Sequence, residues 1–227
     1  EVSMKKAFTL AEVLITLGII GVVAAMTMPT LIQKQQDVAT VSRLEKAYSI
    51  LSQAVISAQQ EYGEIDFWTI VDNNQESTRE NFARVEPYLK IVRKCDNEAG
   101  CWAKQTQSLS GEQARWSTDF GFGVDYMGFT LNDGTNVVFD FTTPSLSEIF
   151  GFPEYLDSAY IIFYVDVNGD KRPNKFGRDI FVFALGQKGL IPAGIANNSA
   201  NCSPSIKSNI SGYDCAYKVL QEKAIKY

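Results

Sequence analysis

The 227-residue sequence contains no histidine. Histidine is the most common general base and a frequent zinc ligand, so its absence excludes Ser–His and Cys–His nucleophile pairs and most zinc sites. Basic residues are also outnumbered, because 21 Lys and Arg face 26 Asp and Glu and leave a net charge of −5. Nucleic-acid binding needs a dense basic surface, so no nucleic-acid partner is expected. The composition therefore favours a protein that is not an enzyme.

Long apolar runs are scarce except in one block near the start. Residues 8–31 read FTLAEVLITLGIIGVVAAMTMPTL and contain one charged residue, Glu12. As a helix this block would reach roughly 36 Å, enough to cross a bilayer core of about 30 Å. Lys5 and Lys6 precede the block, and the positive-inside tendency then leaves the N-terminus in the cytoplasm and sends the rest outward.

Three simpler interpretations of this apolar block are less satisfactory, two of them because they do not explain Glu12. A buried core helix rarely has so long an apolar run. A cleavable secretory signal, cut at Val23-Ala24-Ala25, and an ordinary single-pass anchor both leave the carboxylate unexplained. An ionisable group in hydrocarbon costs about 2.5–3.5 kcal/mol on insertion scales, so it usually has a partner or a function.

Residues 5–12, KKAFTLAE, resemble the processing and methylation motif of type IV prepilins and type II secretion pseudopilins. That motif has a basic leader, a small residue before the cut, an aromatic residue after it and a glutamate four residues further on. Pro29 lies where many members carry a proline, whereas Ala7 stands where glycine is usual. The resemblance implies that residues 1–7 are a leader removed by prepilin peptidase between Ala7 and Phe8, and that Phe8 is then N-methylated.

The resemblance also implies a structural function. The mature chain would span the bacterial inner membrane once, with its head in the periplasm. It would use the inner-membrane assembly platform to join copies of itself and other pilins in a type IV pilus or a type II secretion pseudopilus. The alternative is a membrane-anchored extracytoplasmic binding or adhesion protein that does not polymerise.

Two residues of the apolar block have expected roles in assembly. Glu12 is expected to pair with the N-terminal amine of a neighbouring subunit, because a charge removed from water needs a compensating charge. Pro29 cannot donate to the helix ladder and is expected either to loosen the helix in a filament or simply to kink it.

The hydrophobic period changes beyond Pro29. Apolar residues then recur three or four positions apart, which predicts an amphipathic helix. They are Val38, Val41, Leu44, Tyr48, Leu51, Val55 and Ala58. One helix is therefore predicted over residues 8–62, transmembrane or filament core at 8–31 and amphipathic at 32–62, with Gly63 as its stop. Packing against a head is favoured over the alternative of a coiled-coil seam.

Residues 63–227 are predicted to form an extracytoplasmic globular head. The segment Ser77-Thr78-Arg79-Glu80 resembles a helix start, and apolar residues continue at near-helical spacing as far as Val92 despite Pro87. Four β-rich runs follow, with a turn signal at Asn132-Asp133-Gly134. They are residues 126–131, 136–141, 159–166 and 180–185. The predicted fold class is α+β, with an antiparallel sheet of about four strands laid on the long helix as in pilin heads.

The loop between the last two runs reads DVNGDKRPNKFGRD over residues 166–179. Asp166, Asn168 and Asp170 place oxygen-bearing side chains at alternating positions, as calcium loops do, and Asp179 could close the set. The resemblance adds that similar acidic loops in pseudopilin heads hold calcium. The loop lacks the glutamate that closes an EF-hand and has four bases against three acids, so a metal-free hairpin is an equal alternative. A structural Ca²⁺ ion is thus an expectation, and no cofactor is required.

The four cysteines fit an exported head, since disulfides persist outside the cytoplasm. Three connectivities can be drawn among them. The simplest pairs Cys95 with Cys101 and Cys202 with Cys215, because each pair closes a short loop. The second pair would resemble the disulfide-bounded C-terminal loop of many pilins.

Overall fold

The computed structural model describes residues 9–71, 74–115, 125–142, 147–156, 160–187 and 189–227. The chain divides into two compact units, residues 1–39 and residues 40–227. Helix α1 contains every described residue of the first unit except Thr9, and its remaining residues belong to the second unit.

Helix α1 covers Leu10–Tyr62, a length of 53 residues, and includes Pro29 in its interior. It is followed by Gly63, whose φ of 85° lies in the left-handed region that glycine adopts at little cost after a helix. Three further helices are α2 (Gln75–Val85), α3 (Ser147–Phe150) and α4 (Cys215–Glu222).

A six-stranded antiparallel sheet follows the chain order from β1 to β6. Its strands are β1 (Ile91–Asp96), β2 (Tyr126–Leu131), β3 (Asn136–Thr142), β4 (Tyr160–Asp166), β5 (Ile180–Gly186) and β6 (Gly189–Pro192). The α+β class with a long helix against an antiparallel sheet is confirmed. The sheet has six strands rather than about four, because the two edge strands carry weak sequence signals. Strand β1 has no fully buried residue and two register shifts, and β6 has only four residues.

The predicted helix around residues 77–92 is wrong at its C-terminal end. Helix α2 begins after Asn74, whose side chain accepts a hydrogen bond from the Ser77 backbone N–H at 3.0 Å. It ends at Val85, and residues 86–88 form a short turn around Pro87, which cannot donate to a helix ladder. Val92 lies on the edge strand β1 and is 67 % exposed, so it does not belong to the apolar face of a helix.

Both faces of the sheet are covered, so β2 and β5 are buried along their whole length. Alternate side chains of β4 show the arrangement: Phe163 belongs to the cluster that includes α1, and Tyr164 belongs to the cluster on the opposite face. The predicted stripe of the second half of α1 is buried in the first cluster. Five of its seven predicted members are fully buried there, Tyr48 packs against the cluster half-buried, and Ala47 and Ala54 are buried beside them although they were not predicted. The five are Val41, Leu44, Leu51, Val55 and Ala58. Packing against the head is therefore the correct interpretation of the stripe, with Val38 left 63 % exposed.

Candidate functional site

The first turn of α1 holds Glu12 in a capping box with Thr9. The Thr9 backbone N–H and hydroxyl each donate to Glu12 Oε2 at 2.8 Å, and the Glu12 backbone N–H donates to Thr9 Oγ1 at 3.2 Å. A capping box satisfies two backbone donors at a helix N-terminus reciprocally. The sequence contains its signature, T-x-x-E, which could have shown that Glu12 also fixes the start of the helix. Ala7 and Phe8, the predicted cleavage residues, lie outside the described residues.

The segment after this cap is apolar in every direction around the helix. Neighbouring positions point to different sides of a helix, yet every large apolar residue of the segment is exposed. They are Leu10, Val13, Leu14, Ile15, Leu17, Ile19, Ile20, Val22, Val23, Met26, Met28, Leu31 and Ile32. By length and composition this helix could cross a membrane.

Pro29 lies inside α1, and the helix continues on both sides of it. Thr27 donates its hydroxyl to the Val23 carbonyl oxygen at 2.9 Å, and Thr30 donates to the Thr27 carbonyl oxygen at 2.8 Å. These hydroxyls add bonds to carbonyls in the turns next to the proline, as Ser and Thr do in membrane helices. Loosening of this stretch in a filament stays a prediction.

The cysteines form the two short-loop disulfides, Cys95–Cys101 and Cys202–Cys215. The first closes the segment after β1. The second joins the C-terminal loop to the first residue of α4, and both of its cysteines are buried in the cluster that includes α1.

The loop between β4 and β5 folds around Asp179. One carboxylate oxygen, Oδ2, accepts the backbone N–H of Asn174 at 2.8 Å and the amide Nδ2 of Asn168 at 3.0 Å. The other, Oδ1, accepts the backbone N–H of Lys175 at 2.6 Å. At the start of the loop, Asp166 Oδ1 accepts the Asn168 backbone N–H at 3.1 Å. Three of the four predicted metal-binding residues, Asp166, Asn168 and Asp179, are thus brought together.

Asp170, the fourth, turns to a different set of partners. Its Oδ1 accepts the amide Nδ2 of Asn136 at 3.1 Å, and its Oδ2 lies 3.7 Å from an Arg93 guanidinium nitrogen. Within the described ranges no three His, Cys, Asp or Glu side chains are grouped closely enough to hold a metal ion. Any cation in this loop would therefore depend on amide oxygens as well as on two carboxylates.

Burial controls the electrostatics of this loop. Burial, followed by repulsion from Asp179, raises the pKa of Asp166 well above its usual range. Burial also raises the pKa of Asp179 to about 6, although the N–H donors of Lys175 and Asn174 favour its charged form. Asn174 was not among the predicted residues of this loop. It follows Lys171, Arg172 and Pro173, so no alternation of oxygen-bearing side chains pointed to it.

Comparison with known proteins adds evidence on the N-terminal half. Residues 2–28 match the prokaryotic N-terminal methylation motif, which is the signature of type IV pilins and pseudopilins. The chain therefore carries a pilin-type N-terminal segment on an α+β head. Residues 30–108 match a family of unknown function (DUF6613). No curated protein and no solved structure matches the chain significantly.

Proposed function

We propose that this chain is a structural pilin or pseudopilin subunit rather than an enzyme. Prepilin peptidase cleaves it between Ala7 and Phe8 and methylates the new amine, and the mature chain lies in the bacterial inner membrane with its head in the periplasm. It then assembles with copies of itself and other pilins into a type IV pilus or a type II secretion pseudopilus. The observation that carries the proposal is the methylation motif at residues 2–28.

The exposed apolar segment of α1 supports assembly. A helix that is apolar on all sides needs lipid or other helices around it, because water is a poor solvent for so large an apolar surface. Lipid covers this surface while the subunit is in the membrane. Neighbouring α1 helices replace the lipid when the subunit enters a filament.

Glu12 gives the assembly step its specificity. Its carboxylate costs free energy in hydrocarbon, and Thr9 supplies hydrogen bonds but no positive charge. The methylated amine of Phe8 on a neighbouring subunit is the missing cation. Pairing of the two charges favours one register between subunits over others, because a slipped register leaves both charges unpaired.

The proposal is tested by filament incorporation. The full chain is produced in cells with a prepilin peptidase and an assembly platform, and membrane and sheared-filament fractions are blotted for the head. Glu12→Ala should stay in the membrane fraction, while its amount in the filament fraction falls at least about tenfold, the effect of losing about 1.4 kcal/mol per added subunit.

Glu222→Ala is the matched control, since Glu222 is an exposed glutamate at the end of α4. It should enter filaments at the wild-type level. Wild-type incorporation of Glu12→Ala would contradict the role of Glu12. A wild-type chain that stays in the membrane and never enters filaments would contradict polymerisation and favour an anchored binding protein.

A further inference from the structure

Four segments of the head contact one another in a closed ring. Helix α1 meets the β2–β3 turn, where Lys46 Nζ lies 2.7 Å from Asp133 Oδ2. The same turn meets the β4–β5 loop so closely that a Cβ atom on Gly169 would lie 2.4 Å from the Gly134 carbonyl oxygen. These contacts place two loops of the sheet beside the first turns of α1 in the head.

The C-terminal tail closes the ring. Tyr227 donates its hydroxyl to the Gly177 carbonyl oxygen of the β4–β5 loop. Lys223, just after α4, has its Nζ 3.5 Å from Glu45 Oε1 of α1. We call this end of the head the four-segment ring, which consists of residues 43–46, 132–134, 167–179 and 218–227.

Basic side chains outnumber acidic ones on the surface of the four-segment ring. Nine Lys and Arg side chains of the ring are exposed or half-buried, against four carboxylates, and the remaining acid, Asp179, is buried. This excess contrasts with the whole chain, whose net charge is −5. Six of the nine basic residues are exposed, namely Arg43, Lys46, Lys171, Arg172, Lys223 and Lys226.

The ring of Tyr227 brings two further cations together. The Arg178 guanidinium carbon and Lys218 Nζ each lie 5.9 Å from the centroid of this aromatic ring. A cation near the face of an aromatic ring is attracted by the ring quadrupole. The tail thereby gathers cations of the β4–β5 loop and of α4 into one surface.

The far end of α1 has the opposite charge. From residue 47 to residue 78 the chain contains five Asp and Glu and no Lys or Arg. Glu61, Glu64 and Asp66 are exposed where α1 ends. This end lies next to the β5–β6 turn, since Gln187 donates to Asp66 Oδ2 at 2.6 Å. The head is therefore basic where α1 enters it and acidic where α1 ends.

We propose that the four-segment ring binds the anionic phospholipid surface of the membrane that α1 crosses. Only residues 33–39 separate the exposed apolar segment of α1 from the head unit, so the basic surface is tethered near lipid headgroups at high effective concentration. Each Lys or Arg near an anionic surface raises the affinity about fivefold, and several act together. The same surface repels the acidic end of the head, which favours one orientation.

Anionic lipid fits the ring better than the acidic end of a second copy does. Lipid surrounds every anchored subunit, whereas a neighbouring head is in place only after assembly. The inference rests on the membrane anchoring in the proposed function and is independent of polymerisation.

The experiment measures how fast individual lysines of the full chain are acetylated by an amine-reactive reagent, read out by peptide mass spectrometry. One chain is reconstituted per lipid nanodisc, in phosphatidylcholine alone or in a mixture with phosphatidylglycerol. Lys218 and Lys226 should react at least about fivefold more slowly in the anionic discs, and high salt should remove the difference. Lys94, whose partners Glu86 and Phe82 lie outside the ring, should react equally in both discs.

The possible failures of this experiment are distinguishable. Equal rates at Lys218 and Lys226 in the two kinds of disc overturn the proposal. Protection that needs two chains in one disc, whatever the lipid, also overturns it and assigns the ring to the acidic end of a second copy. A chain that inserts into neither disc contradicts the membrane anchoring itself, and the lipid contact with it.

Charge variants test the surface. The double variant Lys171→Gln with Arg172→Gln neutralises two exposed bases of the ring and should lose most of the protection seen in the wild type. The matched control Arg79→Gln with Lys94→Gln removes two exposed bases outside the ring and should keep it. Full protection in the first variant, or lost protection in the control, overturns the ring as the binding surface.

Discussion

Tyr48 of α1 stacks on Phe183 of β5, with ring centroids 5.5 Å apart and planes 27° from parallel. The Tyr48 hydroxyl donates to the Leu190 carbonyl oxygen of β6 at 3.2 Å. One side chain therefore connects the second half of the long helix to two neighbouring strands. Its ring is packed and its hydroxyl is hydrogen-bonded, so this second half of the helix is part of the core of the head.

The first prediction concerns this packing. Val55→Ala should lower the free energy of unfolding of the head by about 2 kcal/mol, because it removes fully buried methyl groups and leaves a cavity. Val38→Ala is the matched control on the same helix and should change it by less than about 0.5 kcal/mol, since Val38 is mostly exposed. Denaturant unfolding of the full chain measures both. Equal costs would show that Val55 is not packed in the core of the head.

The second prediction concerns the disulfides. Changing Cys202 and Cys215 together to Ala should lower the free energy of unfolding by about 3 kcal/mol, and changing Cys95 and Cys101 together should lower it by about 2 kcal/mol. The larger effect follows from the longer loop, a sequence separation of 13 against 6. Non-reducing peptide mapping first establishes the pairs. A larger loss from the Cys95 pair would contradict this order.

The third prediction concerns Asp214, which is fully buried beside α4. Burial raises its pKa, while the Asn201 N–H, the Asn197 amide and the positive charge of Lys218 oppose that shift. The folded chain then binds more protons than the unfolded chain above the usual aspartate pKa, so stability falls as pH rises from about 4 toward neutral.

The variant Asp214→Asn isolates this contribution. An asparagine oxygen can still accept from the Asn201 N–H, which donates to Asp214 Oδ2 at 2.7 Å. The variant should therefore lose less stability than the wild type over the same pH range, in denaturant titrations with chelator present. Parallel pH profiles of the two proteins would show that the buried Asp214 carboxyl is not the cause of the pH dependence.

The central strands were predictable from their composition, and the amphipathic stripe of α1 was predictable from the spacing of its apolar residues. The four β-rich runs correspond to β2, β3, β4 and β5 within one residue at each end, since these strands are rich in β-branched and aromatic residues, which favour strands. The stripe of α1 was visible because each buried position recurs after three or four residues.

The edge strands and the end of α2 were not predictable by the same means. A strand is recognised in a sequence by a regular pattern of apolar, buried residues, and β1 lacks one because residues such as Val92 are exposed. Its position at the edge of the sheet depends on its pairing with β2. At the loop, spacing along the chain indicated Asp170 as a ligand. The fold instead turned Asp170 to Asn136, a residue 34 positions away in sequence, which no local pattern reveals.

The N-terminus of the mature chain tests the central claim most directly. The full chain is co-produced with a prepilin peptidase, purified from membranes, and analysed by intact mass and N-terminal peptide sequencing. A pilin-type subunit predicts a chain that begins at Phe8 with one methyl group on its amine. A chain that is uncut, or that begins at Met26 after cleavage behind Ala25, would contradict the claim.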